Sequence, residues 1–132
     1  MHAVIKIMAI ILLVDDDPLQ AFVRKTALEK SFPDVRRVSG AEALCLIEQS
    51  HFSAQLALVI SGTHMPGLSG SDFVAEISSR LPWMPVLVLG NGPDTGRDSP
   101  NDLIHFVPSP VSGEELSRLS RQMIALHKAS AA

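Results

Sequence analysis

Three short runs of this chain contain nothing but apolar residues: Ile10–Val14, Leu56–Ile60 and Val86–Leu89. A strand with one wet face alternates apolar and polar residues, so unbroken runs this short, rich in branched side chains, read as strands covered on both faces. Val35–Val38 and Leu103–Val107 add two more candidate strands, the second interrupted by the polar His105. Segments at helical spacing separate them. Asp17-Pro18 opens the first, because Asp accepts hydrogen bonds from orphan amides and Pro suits the first helical position. Leu19, Phe22, Val23 and Ala27 follow at helical spacing, and Phe32-Pro33 stops the helix. Helices are also predicted over Ala41–Glu48, with Ala43, Leu44 and Ile47 on one side, and over Ser71–Leu81, with Phe73, Val74 and Ile77 as an inner stripe. Ser112 opens the last helix with a capping-box spacing to Glu115, and Leu116, Leu119, Met123 and Leu126 repeat along it.

Strand and helix alternate along the whole chain, with no repeat, linker or low-complexity tract to divide it. Such alternation predicts one doubly wound α/β domain, a parallel sheet with helices on both faces. Ligands of such sheets sit beyond the carboxyl ends of the strands. The residues to inspect are therefore Asp15 to Asp17, Ser61 to His64, Gly90 to Gly92 and Pro108 to Pro110.

Composition narrows the function. The chain has 132 residues, 46% hydrophobic and 19% charged, a globular mix long enough to bury a core. A formal net charge of -3 leaves no basic face for nucleic acid. The apolar start, Val4 to Val14, is too short to span a bilayer and carries no cleavage site, so a cytoplasmic protein with no membrane contact is expected. The single cysteine, Cys45, fits a reducing compartment and is expected to be a small core residue.

Two adjacent carboxylates, Asp15 and Asp16, emerge from the centre of the predicted sheet. Such a pair repels itself and wants a cation. Asp17 is read as a helix cap. Five histidines are scattered without paired metal-ligand spacing; His64 is expected beside the acidic pair, where it could join Asp15 and Asp16 around a transition metal, but is read as a solvated loop residue. Gly90, Gly92 and Gly96 do not have a phosphate-loop spacing, and Pro93 interrupts them. Trp83 is expected at the opposite end of the sheet, with no assigned role.

Three segments together carry a resemblance: Leu13-Val14-Asp15-Asp16-Asp17-Pro18, Met65-Pro66-Gly67-Leu68-Ser69-Gly70, and Phe106-Val107-Pro108-Ser109-Pro110. Gly40-Ala41-Glu42-Ala43-Leu44 and Arg80-Leu81-Pro82-Trp83-Met84-Pro85-Val86 add to it. From about Ile10 to Leu126 the chain resembles the receiver domain of two-component signalling. The resemblance implies a flavodoxin-like five-stranded parallel sheet in the order 2-1-3-4-5. It also implies a phosphorylated Asp three residues before the Met of Met-Pro-Gly, a hydroxyl after the fourth strand and a Lys before the proline after the fifth. Here those positions hold Gly62, Gly90 and Ser109. Of the phosphorylation machinery only the acidic pair remains, and glycine offers no nucleophile. The Ser109-Pro110 bond corresponds to one that is cis in the family.

The expected protein is therefore a phosphorylation-incompetent receiver, not an enzyme. It acts by contacts with a histidine kinase, a phosphotransfer protein or another regulator. Residues 8–128 are expected to form the domain, 1–7 an extension or alternative start, and 129–132 a tail, with no output domain expected to follow. The two Pro and two Gly of Asn91–Pro100 predict that the family's fourth helix is short, irregular or missing. Phe106, where the family has an aromatic switch residue, is expected to be fixed packing. No cofactor is required; Asp15 and Asp16 hold Mg²⁺ weakly at most, and Gly62→Asp is expected to strengthen it. Two alternatives stay open: a switch phosphorylated at a neighbour (Ser61, Thr63 or Asp17), and a weak divalent-metal-binding α/β domain.

Overall fold

The structure, a computed structural model, describes residues 9–62, 64–65, 68–90, 103–108 and 110–131. In chain order the elements are β1 (Ile10–Val14), α1 (Pro18–Glu29), β2 (Val35–Val38), α2 (Gly40–Ile47), α3 (Ser50–Ser53), β3 (Leu56–Gly62), β4 (His64–Met65), β5 (Leu68–Ser69), α4 (Gly70–Arg80), β6 (Val86–Leu89), β7 (Ile104–Val107) and α5 (Gly113–Ala131). Five strands form one sheet in the order β2-β1-β3-β6-β7, every neighbouring pair parallel. Counting only the strands of this sheet, that is the 2-1-3-4-5 order. β4 and β5 form a small antiparallel hairpin where the sequence predicts a plain loop.

The apolar runs build two cores, one on each side of the sheet. Successive side chains of a strand point to opposite faces. Thus Ile10, Leu12 and Val14 of β1 pack with Ala43, Phe52, Phe73 and Ile77, on the side of α2, α3 and α4. Ile11 and Leu13 pack with Leu28, Leu116 and Met123, on the side of α1 and α5. The edge strand β2 instead exposes two consecutive charges, Arg36 and Arg37, which discourage pairing with a further strand.

The helix caps are local sequence effects. Asp17 caps α1, its Oδ1 accepting from the amides of Leu19 at 3.0 Å and Gln20 at 3.3 Å. Ser39 and Glu42 form a reciprocal capping box at α2 that the sequence reading missed. The Ser39 amide and hydroxyl hold the exposed Glu42 carboxyl below its usual range. At α5 Ser112 Oγ accepts from the Glu115 amide at 3.1 Å, but the Glu115 carboxylate pairs with Arg118.

Three readings need correction. In α1 the apolar residues at helical spacing are not the buried ones: Leu19, Phe22 and Val23 are 72%, 69% and 58% exposed, while Ala21, Arg24 and Leu28 face inward. Cys45 is exposed, because α2 turns Gly40, Ala43 and Ile47 to the sheet. Leu126 is exposed as well. Trp83 and His105 are exposed, in line with their reading as a lone surface aromatic and a polar interruption. The expectations for the segment 91–100, for Thr63 and Ser109, and for the His64 side chain lie outside the described residues, as does the extension 1–7.

Candidate functional site

The register of the central strands brings the inspected residues together. Val14 lies beside Ser61, Gly62 beside Leu89, and Leu89 beside Val107. Asp15, Gly62 and Gly90 therefore meet at the carboxyl edge of three adjacent strands, the place where open α/β sheets bind ligands.

Asp15 is buried, and each of its hydrogen-bonding groups has a partner within the protein. Its amide donates to the Val38 carbonyl at 3.1 Å. Its carbonyl accepts from Arg37 Nε at 3.0 Å. Oδ1 accepts from the Asp17 amide at 3.0 Å, and Oδ2 accepts from Arg24 Nη1 at 2.8 Å. The ion pair with Arg24 is shielded from water: the two side chains are only 5% and 10% exposed. Asp16 is half-buried, and its shielded Oδ1 has no hydrogen-bond partner among the described residues.

The neighbouring strand ends carry no such chemistry. Gly62 is half-buried, and a Cβ built on it would stand 3.8 Å from Arg24 Nη1, an ordinary contact distance. Ser61 is fully buried, with its hydroxyl donating to the Gly62 carbonyl at 2.7 Å. Gly90 is buried, its amide donates to the Val107 carbonyl at 2.8 Å, and its φ of 153° is a conformation that residues with side chains rarely adopt. Phe106 is half-buried against the core on the α2, α3 and α4 side.

Arg24 is the site residue that sequence reasoning missed. An arginine in a helix reads by default as solvated. The available signal was its place in a stripe with Ala21 and Leu28, one turn apart on each side, above a strand that ends in carboxylates.

A divalent ion at this edge would have to be held by Asp15 and Asp16. Asp16 Oδ1 is a donor atom of the right kind. However, both oxygens of Asp15 are already engaged, and Gly62 adds no carboxylate. Among the described residues no three His, Cys, Asp or Glu side chains converge as metal ligands. Mg²⁺ demands near-octahedral oxygens, so this set does not fit a tightly held ion.

The sheet order and the acidic edge define the receiver class of doubly wound domain. The family described as the response regulator receiver domain matches residues 11–103, well over half of the chain, and the chain belongs to that family. It is thus a receiver module of two-component signalling. Among solved structures it is similar to a response regulator receiver domain protein from Clostridium thermocellum. That match has 27% identity and a TM-score of 0.75, covering 92% of this chain and 98% of that one. It is also similar to an adenylate cyclase from Rhodopirellula baltica (24% identity, TM-score 0.78, covering 92% and 91%). A third is the chemotaxis response regulator CheY4 of Vibrio cholerae (23% identity, TM-score 0.69, covering 88% and 98%). The last two likenesses concern the fold alone. No curated protein matches the chain in sequence. Among the described residues no helix is long and apolar enough to cross a membrane.

Proposed function

We propose that this receiver takes up no phosphoryl group and acts in two-component signalling through protein contacts alone. The observation that carries this reading is Gly62 at the end of β3, beside Asp15 and Gly90, where an attacking carboxylate would be needed. The neighbours do not replace it. The Ser61 hydroxyl is buried and donates to the Gly62 carbonyl, which is no base. Asp17 is committed to the cap of α1. Gly90 offers no hydroxyl to a phosphoryl oxygen. Mg²⁺ would be held weakly at most, at Asp16 with Asp15 beside it. With no group to bind, Phe106 acts as fixed packing and not as a switch.

The contacts such a domain needs have a candidate surface. Leu19, Phe22 and Val23 form an exposed apolar face on α1, beside the acidic edge. Exposed apolar groups clustered on one element mark interaction sites more often than scattered ones do. We read this face as the docking surface for a cytoplasmic signalling protein, either a histidine kinase, a phosphotransfer protein or another regulator.

Incubation with acetyl phosphate and Mg²⁺ followed by intact-mass measurement tests the first part. The expected spectrum shows only the unmodified chain; a stoichiometric phosphoryl adduct would overturn the reading. Phe22→Asp tests the second part, with loss of the captured signalling protein expected in a pull-down.

A further inference from the structure

We propose that Arg24 is a built-in cation that takes, at Asp15, the place of a divalent metal, so that the buried carboxylate is offset without one. The inner face of α1 is otherwise apolar, Ala21 and Leu28, and a charge placed there is buried at a cost unless it is paired. Arg24 is paired, at 2.8 Å, with a carboxylate as buried as itself. The same Nη1 lies 3.8 Å from the Cβ position of Gly62, so the positive charge is close to both the end of β1 and the end of β3. That is where a cation bridging the acidic pair to β3 would have to stand. Two adjacent carboxylates repel, and one guanidinium offsets one of them. Unlike a dissociable ion, the side chain is always at hand.

This changes what Gly62→Asp should do. A carboxylate at position 62 lies within reach of Arg24, so it pairs with the guanidinium before it can serve a metal. The gain in metal binding then requires removing Arg24 as well. The inference shares its pocket with the reading of Gly62 but does not depend on it.

The test is calorimetric titration of Mn²⁺ and Mg²⁺ into four proteins: wild type, Arg24→Met, Gly62→Asp and the double variant. Wild type and Gly62→Asp are expected to bind weakly. Arg24→Met should bind about tenfold tighter or more, since it removes a unit positive charge a few ångström from the ion. The double variant should bind tightest. A folded Arg24→Met no tighter than wild type, or wild type as tight as the double variant, overturns the proposal. Should Arg24→Met not fold, thermal melts of wild type and of the charge-conserving Arg24→Lys take its place. Neither melting temperature should rise in MgCl₂ relative to NaCl at equal ionic strength, and a Mg²⁺-specific rise in wild type overturns the proposal. A phosphoryl adduct without metal uptake would sink the reading of Gly62 and leave this one standing; metal uptake without an adduct would do the reverse.

Discussion

The end of β1 and the ends of β3 and β6 lie side by side on one edge of the sheet, yet they differ in kind. The β1 end keeps its carboxylates, and Asp15 there is tied to Val38, Arg37, Asp17 and Arg24. The β3 and β6 ends are bare glycine, Gly62 and Gly90. The contrast separates a side chain with a structural duty, Asp15, from two positions without any side chain, of which Gly90 is needed for its backbone φ and Gly62 is not. Asp15 organises the turn into α1 and anchors a buried cation whatever the signalling chemistry. A side chain at 62 or 90 would have served a phosphoryl group, and nothing in the packing around Gly62 asks for one.

The contrast can be broken by substitution, and the largest effect is expected at the β1 end. Arg24→Ala leaves a buried carboxylate unpaired, which should cost about 3–5 kcal/mol in urea unfolding. A loss near that of an exposed ion pair would mean the bond to Asp15 is not maintained in solution. At the β6 end, Gly90→Ala should cost about 1–3 kcal/mol, because its φ of 153° is strained for any side chain. A smaller effect concerns the turn after β2. The depressed Glu42 carboxyl contributes stability above the unfolded carboxylate range, and that contribution is lost as pH falls through the folded value. Glu42→Ala should therefore melt lower than wild type near neutral pH and match it in acid. The smallest effect is expected at the β3 end. Gly62→Ala places a Cβ at ordinary contact distance with no strained φ, and should change stability by about 0.5 kcal/mol or less. Equal costs at 62 and 90 would erase the distinction between a dispensable glycine and a required one.

Much of this molecule is legible in its residues. The apolar runs Ile10–Val14 and Val86–Leu89 are strands over the predicted spans, and Asp17-Pro18 caps and opens α1 as read. Burial on both faces leaves a strand few alternatives, and cap chemistry is local. The phase of α1 was not legible. Hydrophobicity alone favours turning Leu19, Phe22 and Val23 inward. The structure instead turns in Ala21, Arg24 and Leu28, because Leu28 fills the core with Leu116 and Arg24 finds Asp15. That pairing spans a turn and two helical turns, and no periodicity reveals it. Cys45 failed for a related reason: between Leu44 and Leu46 it looks enclosed, but Ala43 and Ile47 set the inward face of α2. The acidic edge was legible as a set of positions and only its internal counter-ion was hidden.

With Arg24 paired to Asp15 and no carboxylate at position 62, neither metal nor a phosphoryl group should change this edge. Amide NMR spectra of the wild-type protein, recorded with Mg²⁺ and then with Mg²⁺ and beryllofluoride, test this most directly. The resonances of Asp15 to Asp17, Gly62, Gly90 and Phe106 should stay where equal ionic strength of NaCl leaves them. Saturable shifts centred on those residues would contradict it.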